Sequence, residues 1–431
     1  MRSVKVYLNT QKIGILTQES SRGGEVYSFS YDTVWLHQHP NAYFGNEIQP
    51  YEGKQYFDHL PGCYSDCTPD RWGRTLIQLA NPGKRLTEMD YLLDLSDYLR
   101  TGAFRFSDGQ QFLTSDGTKI PPMFSLRELE QASFDLEHDR ISDSLQKILT
   151  QGSSLGGARP KANVIDTDGS LWITKFPSRN DTYDVGAWEA VENDLARLCG
   201  LSVTETKAIR LSDRGSTFLS KRFDRAGEIR VPYISAMTLL GASDGNPENF
   251  GYLDMVDAME TNGMEQDLPE LFHRIVFSML TGNTDDHLRN HGYLYQNGTW
   301  RLSPVFDINP NMESLQHAMY RNDGWESVEN LVQDAPLFRV TEQDAKKFIQ
   351  NSSAAIRDNL ERLCARYKIP KGRRNRLHPV NLDIVHEPQA SNFSLDKWIQ
   401  EQNLYKQEYI EKSQPERNTA RNVRDSGHDA I

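Results

Sequence analysis

Long apolar runs are missing from this chain. No stretch approaches the length of a membrane span, and the opening residues MRSVKVYLNT hold no apolar leader segment. A cytoplasmic protein is expected. Cysteine is scarce, with four residues in 431. Cys63 and Cys67 form one C-x-x-x-C, while Cys199 and Cys364 stand apart inside helical patterns. With no second pair and no histidines at ligand spacing, a disulfide framework and a structural zinc site are both excluded. Positive charge is in the minority: 48 Lys and Arg against 60 Asp and Glu leave a net −12. The general attraction that drives non-specific nucleic-acid binding is therefore absent. The basic cluster RYKIPKGRRNR (366–376) is the local exception and reads as a solvated helix end. Two nucleotide and metal motifs are also lacking. Gly152 and Gly157 have Walker A spacing, but Ala158 stands where that motif needs lysine, and there is no H-E-x-x-H.

What is present is enough for two or three domains. Residues 1 to about 50 read as strands: Val4, Val6 and Leu8 alternate, as do Ile13 and Ile15, then Tyr27, Phe29 and Tyr31. The segment 57–80 reads as a loop feeding a helix, with Thr68 as its N-cap and Pro69 at its first position. Met89–Leu99 follows as a further helix. Later helices are expected at Ala187–Leu198 from the Trp188, Val191, Leu195, Leu198 stripe, and at Leu271–Leu280, opened by an Asp267–Glu270 capping box and ended by Gly282. Asp344–Tyr367 is a third. The tail from about Ser413 is polar and charged and is expected to be disordered.

The chemistry concentrates between Thr281 and Asn309, TGNTDDHLRNHGYLYQNGTWRLSPVFDIN. Asp285 and Asn290 are five positions apart. A hairpin turned by Asn297-Gly298 follows, and an apolar run then delivers Asp307. Phosphoryl transfer uses such parts in this order: an Asp that orients or deprotonates the attacking hydroxyl, then an Asn and an Asp that hold magnesium. Upstream, GSSLGGARPK (152–161) is a glycine-rich loop whose free N–H groups could approach phosphate. The strand Leu171–Phe176 carries Lys175 on the face of Leu171 and Ile173, where a cation needs an anion. The next helix offers Glu192 as its partner, with Glu189 in reserve. Phe218–Phe223 (FLSKRF) lies where a hinge between lobes would hold adenine.

A different chemistry uses the same stretch. On a helix, His287 and His291 would share a face and could bind a metal with Asp285 or Asp286, making a metal-dependent hydrolase or nuclease. That reading leaves the glycine loop and Lys175 unexplained. A catalytically dead binding module or co-repressor is the non-enzyme alternative.

Taken together, SSLGGARPK, WITKF, KRFDR, NTDDHLRNH and PVFDI resemble the HipA family of bacterial serine/threonine kinases, toxins of type II toxin–antitoxin modules. The resemblance covers residues 1 to roughly 370, and TPDRWGR with ISAMTLL matches one of the family's branches. It implies an α+β, two-lobed, protein-kinase-like fold: a β-rich N-terminal subdomain (1–105), a mixed α/β N-lobe (106–225), an all-helical C-lobe (226–412) and a tail (413–431). It implies ATP and Mg2+ as cofactors, with Asp285 as catalytic base and Asn290 and Asp307 as metal ligands. ATP would be held by Ser153, Ser154, Leu155, Gly156, Gly157, Lys175, Glu192, Lys221, Arg222, Phe223 and His287 together with Asn290 and Asp307. Ser154, with Ser153 beside it, would be the autophosphorylated serine that silences the enzyme. The family phosphorylates an aminoacyl-tRNA synthetase, glutamyl-tRNA synthetase in its best-known members, and pairs with a HipB-like helix-turn-helix antitoxin that contacts operator DNA. Lys221 stands where the family often has an acidic residue.

Overall fold

Alternating apolar residues in the first hundred positions build a five-stranded antiparallel sheet. Its strands are β1 (Arg2–Leu8), β2 (Gln11–Ser21), β3 (Gly24–Tyr31), β4 (Lys54–Phe57) and β5 (Phe104–Ser107), in the order β4-β3-β2-β1-β5. The computed structural model describes residues 1–21, 24–115, 120–140, 159–242, 250–310, 319, 322–325 and 328–373. The glycine-rich loop 152–158 and the tail from 374 lie outside these residues. In β2 the alternation departs from the expected pairing of Ile13 with Ile15. The register slips between Val6 and Tyr7, so Ile13 is an extra residue in the ladder. Ile13 and Leu16 therefore face the core while Ile15 is exposed.

Helices between β4 and β5 cover this sheet. The helix Arg71–Ala80 is capped by Asp70, whose side chain accepts from Gly73 N at 2.5 Å, two residues later than the expected Thr68 cap. The helix expected over 89–99 is the shorter Glu88–Asp94, opened by a Thr87–Asp90 capping box. All four cysteines are free thiols.

The N-lobe sheet contains β6 (Lys161–Ile165), β7 (Leu171–Lys175), β8 (Thr206–Ser212) and β9 (Gly215–Lys221), ordered β6-β7-β9-β8. Trp72, from the N-terminal region, packs with Trp172, Phe176 and Leu219 beneath it and donates Nε1–H to the Lys161 carbonyl at 3.1 Å. The N-terminal region and the N-lobe sheet thus share one core. A short ribbon, β10 (Arg225–Ala226) with β11 (Ile229–Arg230), leaves this lobe.

The C-lobe is helical around Leu268–Thr281, buried along most of its length, and Glu342–Arg366. It also holds a three-stranded sheet, β12 (Tyr233–Ser235), β13 (Gly292–Gln296) and β14 (Thr299–Leu302), ordered β12-β13-β14. The Asn-Gly turn of that hairpin has both residues at positive φ, 51° and 84°. Gly282 ends the central helix in the left-handed region at φ 73°, as expected. The Asp267 carboxylate does not cap it; it accepts instead from Leu302 N at 2.8 Å and from Arg301.

Candidate active site

Lys175 sits at the end of β7, with its side chain 12% exposed and its Nζ between two carboxylates. It contacts Glu189 Oε1 at 2.5 Å and Asp307 Oδ1 at 2.6 Å. Glu189 comes from the helix Val185–Leu198 and Asp307 from the segment after β14. Three distant parts of the chain therefore meet at one ammonium. Burial alone would raise the Asp307 pKa, but Lys175, and then Lys161, outweigh it and hold the group at about 2. Asp307 is also at φ 57°, a conformation that few non-glycine residues adopt but that aspartate tolerates.

The glutamate facing Lys175 is Glu189, and the choice of Glu192 is corrected. Glu192 lies three residues further along the same helix, fully buried and beside Thr281. Among the described residues neither Glu192 oxygen has a hydrogen-bond partner. Thr281 is alongside, but its hydroxyl donates to the Phe277 carbonyl at 3.0 Å. Desolvation pushes the Glu192 pKa up to about 8.

The loop 283–291 is extended and then turns once through Leu288–Asn290, so alternate residues face opposite ways. Asp285 and His287 are exposed, while Asp286, Leu288 and Asn290 are buried. Asp286 anchors the loop from below. It accepts from Ser278 Oγ at 3.1 Å, bonds His291 Nε2 at 2.7 Å, and takes a short hydrogen bond from Tyr252. Asn290 Nδ2 donates to the Asp285 carbonyl at 2.8 Å, leaving its Oδ1 as the acceptor of that side chain. His287 and His291 do not share a helical face. One is exposed, and the other is engaged by Asp286 on the buried side, so the histidine-metal arrangement is not formed. Among the described residues no group of three His, Cys, Asp or Glu side chains could hold a metal ion. Asn290 Oδ1 and the Asp307 carboxylate are each hard oxygen donors, the kind of group that Mg2+ takes.

The hinge differs from expectation at two of its three residues. Lys221 N donates to the Glu205 carbonyl at 2.9 Å, and its carbonyl accepts from Thr204 Oγ1 at 2.9 Å. Its ammonium lies 3.7 Å from Glu205. Arg222 is buried and points away from the cleft. It bonds Asp224 Oδ2 at 2.7 Å, the Leu99 carbonyl at 2.7 Å and Asn163 Oδ1 at 3.0 Å. Phe223 alone offers a flat apolar surface, 5.6 Å from the Phe306 ring. Ser153, Ser154, Leu155, Gly156 and Gly157 lie outside the described residues.

Sequence reasoning missed Lys161. It is the cross-strand partner of Lys175, its side chain is 4% exposed, and its Nζ meets Asp70 Oδ2 at 3.2 Å. Its position three residues after Ala158, in RPK, gave no periodic signal to single it out.

A small sheet with one helix across it, joined by a hinge to a larger helical lobe that presents an Asp-x4-Asn loop, is a two-lobed protein-kinase-like fold. Residues 4–107 match the HipA N-terminal domain and residues 153–360 the HipA-like C-terminal domain. The chain belongs to the HipA family. A 212-residue segment is 26% identical to the "Putative kinase Y4dM" of Sinorhizobium fredii, covering 45% of this chain and 50% of that protein. Over 280 residues it is 24% identical to Toxin YjjJ of Escherichia coli, covering 60% of this chain and 61% of that protein. The matches thus span between half and three-fifths of these relatives. HipA of Shewanella oneidensis MR-1, solved with HipB and its operator DNA, shares the fold at a TM-score of 0.65 and 13% identity, over 88% of this chain and 96% of that one. Among the described residues no helix is long and apolar enough to cross a membrane.

Proposed function

We propose that this chain is an ATP- and Mg2+-dependent protein serine/threonine kinase of the HipA toxin type. The observation that carries the reading is the meeting of Lys175, Glu189 and Asp307 at hydrogen-bond distance from three separate elements. In this reading Glu189 orients the Lys175 ammonium toward the α- and β-phosphates of ATP. Phe223 and Phe306 flank the base. Asn290 Oδ1 and the Asp307 carboxylate would hold Mg2+, which screens the phosphate charge. Asp285, exposed on the loop that Asp286 anchors, accepts the proton of the attacking serine hydroxyl. Each of these roles belongs to phosphoryl transfer, where positioning and charge stabilisation supply most of the acceleration.

The substrate class follows the family: an aminoacyl-tRNA synthetase, with glutamyl-tRNA synthetase first to be tried. Autophosphorylation at Ser154, with Ser153 as the neighbouring candidate, would place about two negative charges in the loop meant to receive phosphate and silence the enzyme. The solved HipA–HipB–operator assembly supports a HipB-like antitoxin as partner, with DNA contacted through it. The test is incubation of the purified chain with γ-labelled ATP and Mg2+. Label on the glycine-loop serine, lost in Asp285→Asn and on chelation, is expected. Transfer by Asp285→Asn at the wild-type rate would overturn the assignment.

A further inference from the structure

One buried carboxylate of the N-terminal domain reaches the loop that carries Asp285. Asp66 follows the short helix Gly62–Ser65, and its side chain is 4% exposed. It accepts from Ser235 N at 2.7 Å, Ser235 Oγ at 2.8 Å and Thr238 Oγ1 at 2.7 Å. Ser235 is the N-cap of the helix Ala236–Leu240, so Asp66 sets where that helix begins. The same Asp66 faces Arg289 Nη1 at 4.0 Å, and Arg289 lies between Asp285 and Asn290. The corner it braces also holds the end of the loop. Ala236 N donates to the His291 carbonyl at 2.8 Å, and Ser235 pairs with Gly292 where β12 meets β13.

Acceptor count explains the residue type. Three donors converge on one side chain with a guanidinium 4.0 Å away, and a carboxylate offers two acceptor oxygens to them. An asparagine keeps the size but has a single acceptor oxygen, and its NH2 would face a guanidinium.

We propose that Asp66 is a positioning residue of the catalytic loop, holding Arg289 and the Ser235 corner so that Asp285 and Asn290 keep their relative placement. This rests on Asp285 being the base of a phosphoryl transfer. Lys175 and Glu189, which meet the phosphates in this reading, hang on other elements, so most of the nucleotide affinity should survive its loss even though Asn290 lies in the loop. A displacement near 1 Å at the reacting group costs about 100-fold in rate. Asp66→Asn should therefore slow phosphoryl transfer by roughly 10- to 100-fold while KM for ATP stays within about threefold.

The experiment uses the full chain, with wild type, Asp66→Asn, Arg289→Gln and the double variant. Single-turnover transfer from labelled ATP is read beside amide hydrogen exchange of peptides spanning 283–291. Both single variants should slow transfer and speed exchange in that segment, with exchange in Leu268–Thr281 unchanged. The double should be no slower than the slower single, as two residues of one contact require. Wild-type transfer by Asp66→Asn, or single losses that multiply in the double, would overturn the proposal. Should Asp66→Asn fail to fold, Arg289→Gln decides: slowed transfer at unaltered KM supports it, and wild-type transfer refutes it. If the wild type transfers no phosphate, the kinase reading falls. The exchange arm still judges the tether, with wild-type protection of the loop in the folded variants refuting it.

Discussion

Glu192→Gln should stabilise this protein, and by an amount that grows with pH. Glu192 is fully buried with no hydrogen-bond partner among the described residues, and its pKa rises from 4.5 to about 8. Between those values the unfolded chain ionises the group while the folded chain keeps it protonated. The unfolded state then binds fewer protons, and stability falls as pH rises. Whatever the neutral acid contributes is present below pH 4.5 and is lost progressively until pH passes 8.

At about 1.4 kcal/mol per pKa unit, this linkage destabilises the fold by under ~1 kcal/mol at pH 5 and about 3 kcal/mol at pH 7. Glutamine has nearly the same shape and cannot ionise, so the gap between variant and wild type should widen by roughly 2 kcal/mol from pH 5 to pH 7. The intrinsic difference between burying an amide and a carboxylic acid cancels in that comparison. With an unfolding entropy of ~2.1 cal/mol/K per residue, a 3 kcal/mol gain raises the midpoint by about 3–4 °C. The assay is thermal unfolding of both proteins at pH 5, 6 and 7 in matched ionic strength. Parallel stability curves would refute the placement of an unpartnered, neutral Glu192.

The neighbouring glutamate should behave oppositely. Glu189→Gln removes the partner of Lys175 and should lower kcat/KM for ATP by about 10-fold or more, measured by steady-state transfer, while Glu192→Gln leaves it unchanged. Asp285→Asn should lose about 100- to 10,000-fold in single-turnover rate with ATP affinity retained in calorimetry. Asp307→Ala should abolish the Mg2+ dependence of nucleotide binding, so titrations with and without EDTA should coincide. Arg222→Met, far from the reacting groups, should cost about 3–5 kcal/mol in denaturant unfolding, because Asp224 would lose one of its two counter-ions in a buried site.

Local signals carried much of the fold. The Asn297-Gly298 turn and the Gly282 stop are encoded by residues whose backbone freedom is decisive where they stand, and both were readable. The Lys175 strand was equally plain from alternation. What periodicity could not decide was the facing of residues on elements buried all round. The helix Val185–Leu198 buries both Glu189 and Glu192, so an apolar stripe does not say which one meets β7. The Ile13 bulge depends on the pairing of β2 with Val6 and Tyr7 in the neighbouring strand, which alternation within β2 does not show, whereas Thr68 and Asp70 are both good N-cap types and the local pattern does not choose between them. Arg222 was placed at the nucleotide because it sits in the hinge. Its ion-pair partner Asp224 is two residues away, but the Leu99 and Arg100 carbonyls that hold it out of the cleft are more than a hundred residues away and leave no mark on the local pattern.

Those distant partners bear on how the lobes can move. Asp97 meets Arg100, Arg105 and Arg230, while Asp224 meets Arg222 and Arg225. Five guanidiniums against two carboxylates would be an untenable buried charge unless other acceptors took the surplus. Backbone carbonyls do: Leu92 and Leu95 accept from Arg100, Leu99 from Arg222, Tyr98 and Arg100 from Arg225. Most of these carbonyls lie in the chain entering β5, so the N-terminal domain is fastened along the hinge itself. It is fastened a second time at Ser235 and Arg289 through Asp66. A rotation of one lobe against the other that moved the hinge away from the catalytic loop would have to break one of these attachments. The hinge and the corner beside the Asp285 loop are therefore joined through the N-terminal domain, and the N-lobe sheet is joined to the same domain through Trp72, which bonds the Lys161 carbonyl.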